Sequence, residues 1–322
     1  MPCDPWTRPP AREKNADVMS QLPNFFLLGA PKSGTTTLYH GLEKHPAVHL
    51  STPKEPYYFE DEYAQGPEFY WRTYFATGWT GQPLIGDARA AHLYLPYVPR
   101  RIYDTVPDAR LVAILRNPVE RAFSHWWMQY CYGREPLGFD QALRENRQAI
   151  GNGDSYEGEH AEQLWRAHIA PERDGRGLRP VSARPYIEAG HYADHLERYL
   201  RYFPRSRLCI LFHDDLRRAP LETMRRLYEF LGLDPADLRD APARENVALT
   251  GFSRPLFLVS NRLRFDRVLP RKVLAVLRTT LSQIGSRPKI SPQSRDWLRE
   301  HYEPHNRRLE ALVGRDLADW DR

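Results

Sequence analysis

Cysteine is scarce. Cys3, Cys131 and Cys209 are the three in 322 residues, too few and too scattered for a disulfide framework or a zinc site. A reducing compartment follows, and a cytoplasmic location is the expectation. Long apolar runs are missing too. The longest near the start, Phe25 to Ala30, falls far short of the ~20 residues a spanning helix needs, so no membrane span is expected. Residues 1–20 are polar and proline-rich, without the apolar stretch of a secretory signal. Internal repeats and low-complexity tracts are absent as well.

The composition that remains is that of a folded soluble chain: 41% hydrophobic and 27% charged. Eight Trp, 18 Tyr and 13 Phe exclude wholesale disorder. Lys and Arg outnumber Asp and Glu by 46 − 41 = 5. A surplus of that size suits an anionic ligand or acceptor, and it suits a merely soluble surface as well.

Residues 1–22 read as a flexible lead-in, and a single domain is expected over residues 23–320. Asn24 to Gly29 is an apolar strand ended by glycine, followed by a helix from Thr35 to Lys44. Leu111 to Leu115 is a second buried strand, running through Arg116-Asn117-Pro118 into a helix from about Val119 to Tyr130. Leu208 to Phe212 is a third, followed by a helix over Leu221 to Leu231. Weaker strand signals lie at Ala47–Leu50 and Leu84–Ile85. Apolar strands alternating with helices predict an α/β fold, a P-loop-like open parallel β-sheet flanked by helices. The polar, Gly-rich stretch Glu145 to Arg184 is expected to supply helices and long loops as a lid over one rim. The basic stretch from Arg254 to Lys272 reads first as a solvated helix face.

Between the first strand and helix lies Gly29-Ala30-Pro31-Lys32-Ser33-Gly34-Thr35-Thr36. A loop entering a helix N-terminus offers unpaired N–H groups and the positive end of the helix dipole, which together attract a phosphate or sulfate. Gly34 admits the anion to the backbone, Thr35 and Thr36 add hydroxyls, and Lys32 adds a charge. The Gly29–Gly34 spacing matches the nucleoside-triphosphate loop, but Thr35 stands where that loop carries its lysine. ATP or GTP hydrolysis is thereby disfavoured. Arg116, at the carboxyl end of the second strand, and Ser124, about two helical turns on, suit a second phosphate. A helix-start pair of Arg116 with Glu120 is the alternative role for that arginine.

Pro31 to Thr36 after an apolar strand, with Leu115-Arg116-Asn117-Pro118 running on to Ser124, resembles the sulfotransferases that use 3′-phosphoadenosine 5′-phosphosulfate (PAPS). The likeness is greatest to the heparan sulfate N- and 3-O-sulfotransferase branch and its bacterial relatives. Lys54 to Phe59, Gly190 to Leu200, and Arg287 to Pro292 leading to Leu312 to Trp320 fit the same branch. The resemblance implies that Lys32, Ser33, Gly34, Thr35 and Thr36 hold the 5′-phosphosulfate, and that Arg116 and Ser124 hold the 3′-phosphate. It places Glu55 where that branch carries its general base. His92 is the rival base, its His92-Leu93 pair resembling the small-molecule sulfotransferases. His191 and Tyr192 would line the acceptor side by the same analogy. Departures exist: Asp87 is followed by Ala88, with Arg89 one place later, where the branch often has lysine directly after the acid. Its late Lys-Gly-Arg loop reads Ile284-Gly285-Ser286, and the cysteines near that loop are missing.

The implied reaction is in-line sulfuryl transfer to a hydroxyl or amine of a saccharide or small-molecule acceptor, releasing adenosine 3′,5′-bisphosphate. Lys32 would neutralise the leaving oxygen, and no metal is expected to be needed. Tyr57, Tyr58, Phe59, Trp71, Trp126 and Trp127 are candidates to stack on adenine or wall the acceptor cleft, at least half of them being plain core. Two other readings stay open: a nucleotide kinase or NTPase, and a non-catalytic polyanion-binding module. No nucleic-acid partner is expected, and oligomeric state is not legible.

Overall fold

The structure is a computed structural model that describes residues 21–158, 160–173, 184–238, 240–241 and 287–321. The first 20 residues of the lead-in, the basic stretch from Arg254 to Lys272, and Ile284-Gly285-Ser286 lie outside the described residues.

The chain lays down β1 (Phe25–Gly29), α1 (Thr35–Glu43), β2 (Val48–Leu50), α2 (Pro67–Tyr74), β3 (Leu84–Ala88), α3 (Val98–Thr105) and β4 (Arg110–Leu115). It continues through α4 (Pro118–Cys131), α5 (Phe139–Gly151), α6 (Ala161–Arg173), α7 (Tyr192–Leu200) and β5 (Leu208–Phe212). Helices α8 (His213–Arg218), α9 (Pro220–Leu231) and α10 (Pro292–Val313) complete it. The five strands form one all-parallel sheet in the order β2-β3-β1-β4-β5. The expected open parallel sheet with flanking helices is what folds.

Side chains alternate across a strand, so one apolar run feeds two cores. Phe26 and Leu28 of β1 join Leu111, Ala113 and Leu115 of β4 on one face, packed with Ile102 of α3 and Leu196 of α7. Phe25 and Leu27 join Val112 and Ile114 on the other, against Leu38 and Leu42 of α1 and Leu227 of α9. A third cluster ties α4, α5 and α10 together through Phe123, Phe139, Leu298 and Tyr302. Tyr58, Phe59 and Trp71, read as ring-stacking candidates, are core residues.

The site follows from the strand order. β1 sits at the centre with β3 on one side and β4 on the other, so the chain leaves it in one direction first and returns to its far side later. Ligands bind at such switch points, outside the carboxyl ends of the strands. Gly29 at the end of β1 and Leu115 at the end of β4 open onto that crevice. Register between β1 and β4 shifts between Leu27 and Gly29, where the loop begins.

Gly86 in β3 lies opposite Phe25, and a β-carbon there would run into the Phe25 ring and meet Leu50 Cδ2 at 2.7 Å. Overpacking of that kind costs about 1–3 kcal/mol. Gly86→Ala is therefore expected to lower the urea midpoint without changing the slope of the transition, and an unchanged midpoint would contradict the packing described.

Candidate active site

The loop from Gly29 to Gly34 is shaped by two close approaches. Gly29 has φ +139°, and a β-carbon on it would sit 2.6 Å from the Ala90 carbonyl oxygen. Gly34 caps α1 at φ +108°, with Leu216 Cδ2 only 3.0 Å from where a β-carbon would lie. Bonding within α1 starts with Leu38 N donating to Gly34 O at 3.2 Å, so the N–H groups of its first turn have no partner inside the helix. Ser33 and Thr35 are buried beside them.

Among the described residues, two non-glycine residues have positive φ: Lys32 at +65° and Glu55 at +69°. Both were singled out from sequence as catalytic. Left-handed backbone is costly for an L-residue and tends to gather at functional sites. Lys32 Nζ approaches Met128 Sδ at 3.4 Å. Arg116 donates from Nη1 to the Lys32 carbonyl at 3.2 Å, tying the two expected anion sites together. Its distance to Glu120 is 4.0 Å, and Glu120 is held at 3.0 Å by Arg295. The helix-start pair considered from sequence is thus a loose one. Tyr192 donates its hydroxyl to the Arg116 carbonyl at 2.8 Å. Ser124 is half-buried on α4.

Two cations complete the cluster, Lys54 and Arg287. Each opens a stretch that carries the family resemblance, but neither has a role of its own from sequence. Lys54 donates to Thr36 Oγ1 at 3.1 Å and lies 3.4 Å from Glu55 Oε1. Arg287 lies over the Phe123 ring at 4.5 Å, with Nε and Nη2 buried and unpaired. Burial, then repulsion by Arg116, Arg287 and Lys54, pulls the Lys32 ammonium from 10.5 down to about 8, with Glu55 partly opposing the fall. Burial and the charge of Arg116 likewise lower Arg287. Trp126 and Trp127 border a cavity of about 440 Å³ lined also by Phe123, Phe139 and Lys289.

Glu55 is held from several sides. Its backbone N–H donates to Ala88 O at 3.1 Å, and Arg89 Nη1 donates to its carbonyl at 3.3 Å. Its Oε2 accepts the Ala90 N–H at 3.0 Å. The carboxylate keeps about a third of its surface exposed. More than a Lys54 pair therefore fixes it. Arg89 also reaches Glu55 Oε2 at 3.7 Å, but its closest bonds are to Glu60, gripped by Nε and Nη2 at 2.6 and 2.7 Å, and its guanidinium stacks on Tyr57 at 4.3 Å. His92 stands apart from this surface. It is fully buried, neither ring nitrogen has a partner, and burial followed by the charge of Arg89 holds its pKa well below the usual histidine range. His191 lies against His301 and His305.

An ammonium that reads about 8 when folded and 10.5 when unfolded leaves the unfolded chain with more bound proton between those values. Stability then rises with pH across that window, and the charged lysine costs most below pH 8. Lys32→Met is expected to stabilise the unliganded fold at neutral pH by on the order of 2 kcal/mol. That gain should shrink as urea titrations move from pH 8 towards 10. A variant no more stable than wild type at neutral pH would rule out a strained ammonium.

The family model for the sulfotransferase domain matches residues 22–253. Bifunctional heparan sulfate N-deacetylase/N-sulfotransferase 4 of Mus musculus is 28% identical over 98% of this chain and 34% of its own length. Isoform 2 of the same enzyme from Bos taurus is 26% identical over 71% of this chain. This chain spans about a quarter of that relative's length. The crystal structure of a sulfotransferase from Alicyclobacillus acidocaldarius superposes with a TM-score of 0.63 at 25% identity, covering 93% of this chain and 99% of that one.

Proposed function

This chain belongs to the sulfotransferase domain family, and from that premise we propose that it moves a sulfuryl group from PAPS to a hydroxyl or amine of a saccharide or small-molecule acceptor. One observation carries the reading. The two expected anion sites lie at neighbouring strand ends, joined by the Arg116–Lys32 bond, and burial with mutual repulsion among Lys32, Arg116, Arg287 and Lys54 lowers the Lys32 ammonium. A donor with phosphates at both 5′ and 3′ positions supplies an anion to each site. The 5′-phosphosulfate lies against Lys32, Ser33, Gly34, Thr35 and Thr36, at the positive end of α1. The 3′-phosphate lies against Arg116 and Ser124. Arg287 and Lys54 add charge at the two ends.

Transfer is an in-line displacement. The acceptor oxygen or nitrogen attacks sulfur as the bond from sulfur to the 5′-phosphate oxygen breaks. Charge growing on that oxygen is met by Lys32, so adenosine 3′,5′-bisphosphate leaves stabilised. The acceptor proton passes to a base on the open side. Glu55 suits that role, being partly exposed and oriented by Ala90 N–H and Lys54. His92, sealed in the core, is poorly placed to meet an acceptor. The heparan sulfate relatives favour a saccharide.

Adenosine 3′,5′-bisphosphate is expected to raise Tm by several degrees and ATP by much less. Arg116→Ala should abolish most of the bisphosphate shift, and an undiminished shift would remove the 3′-phosphate site. Binding should weaken as the pH rises through about 8, where Lys32 loses its charge.

Turnover separates the two bases. Glu55→Gln is expected to lower kcat by ~10²–10⁴-fold with donor binding retained. Near-full turnover in Glu55→Gln, together with loss in a folded His92→Ala, would move the base to His92.

A further inference from the structure

Away from the donor cluster, three imidazoles meet between two helices. His191 precedes α7, while His301 and His305 stand one turn apart on α10, at a spacing that puts both on one helix face. One ring nitrogen from each lies within 4.8 Å of the others. His191 Nε2 is 2.9 Å from His301 Nε2, and the His191 and His305 rings stack in parallel at 4.1 Å. We propose that His191, His301 and His305 form a zinc site that staples α10 to the start of α7.

Two of the three imidazoles have a carboxylate behind them. His191 Nδ1 is 3.0 Å from Glu157 Oε2, and His305 Nδ1 is 3.2 Å from Asp194 Oδ2. With Nδ1–H donating to the carboxylate in each case, Nε2 is the nitrogen left with a lone pair for a metal. A metal-bound histidine commonly has such a partner, which fixes its tautomer and orientation. In tetrahedral zinc, with Zn–N of 2.0–2.1 Å, nitrogens lie about 3.3 Å apart, and each lone pair lies in its ring plane, so zinc entry requires the stacked His191 and His305 rings to turn out of parallel. The imidazoles must be neutral to bind the ion. Glu157 and Asp194 supply negative charge against the ion, while Arg147 and Arg308 set a limit on it.

Three neutral nitrogens with no thiolate select zinc and the later transition ions over magnesium or calcium. A fourth position stays available to water or a donor atom. His301 also borders a cavity of about 500 Å³ lined by Trp297, Arg147 and Ile150. From sequence no metal is expected on two grounds, the few scattered cysteines and a sulfuryl step that Lys and Arg can serve, and neither bears on three histidines. This site lies outside that step, so its test is independent of it.

The probe is zinc chloride, titrated calorimetrically into the untagged full chain after chelator treatment. One equivalent should bind and raise Tm by several degrees, and cobalt(II) should give the intense visible bands of a four-coordinate ion. His301→Ala and His305→Ala should each weaken zinc at least tenfold, and Glu157→Gln by ~10–100-fold. Metal-free melting curves of the variants report their folding. Should either alanine variant fail to fold, His301→Gln and Glu157→Gln carry the test. Absence of stoichiometric zinc, or affinity unchanged in the folded variants, overturns the site.

Discussion

Positive charge confined in a half-dry crevice is what the rest of this molecule must tolerate. Lys32, Lys54, Arg116 and Arg287 act on one another closely enough that burial and mutual repulsion depress the Lys32 ammonium. The positive end of α1 adds to the same region. Among the described residues the offset is partial: Glu55 lies 3.4 Å from Lys54 and opposes the fall at Lys32, while Glu120 is held closer to Arg295 than to Arg116. Such an arrangement disfavours the empty state, and a rigid frame has to absorb the cost. The frame is the parallel sheet, buried on both faces, with β1 at its centre. The strained backbone at Lys32 and Glu55 is held by the same frame. An anion of two phosphates would relieve what the fold endures without it.

The sheet was readable because strands covered on both faces are written as unbroken apolar runs. Phe25 to Gly29, Leu111 to Leu115 and Leu208 to Phe212 needed little more than that signal. β3 was seen only as Leu84–Ile85, although it extends to Ala88. Gly86 is small there to admit the Phe25 ring, and Asp87 is a buried acid bonded by Tyr70. Both residues erase the apolar signal for reasons that belong to packing. The same logic divides the site. Lys32 and its loop are local and announce themselves by spacing. Arg116 follows its strand directly. Arg287 comes from far along the chain, and no local pattern tells that it folds back over Phe123 beside Arg116. The histidine triad was hidden in a similar way. His301 and His305 show helical spacing, but the third member lies in a separate element, and a search for metal ligands guided by cysteine passes over all three.

The position of Arg89 shows how one displaced residue changes the electrostatics of a whole pocket. The resemblance places a lysine directly after the acid at Asp87, whereas this chain has Ala88 and then Arg89. Ala88 is sealed in the face shared with α1 and α9. Arg89, one residue on, has left the strand. Its guanidinium turns to Glu60, which Trp165 also holds at 2.7 Å, and stacks on Tyr57. A planar fork suits that bidentate grip better than an ammonium would. The cation is thereby spent on the wall that carries Glu55, whose carbonyl it also bonds. Charge that the strand end does not supply has to come from elsewhere, and Lys54 and Arg287 are what the fold brings in. A buried ion pair braces the carboxylate, and two cations from other parts of the chain restore the positive field.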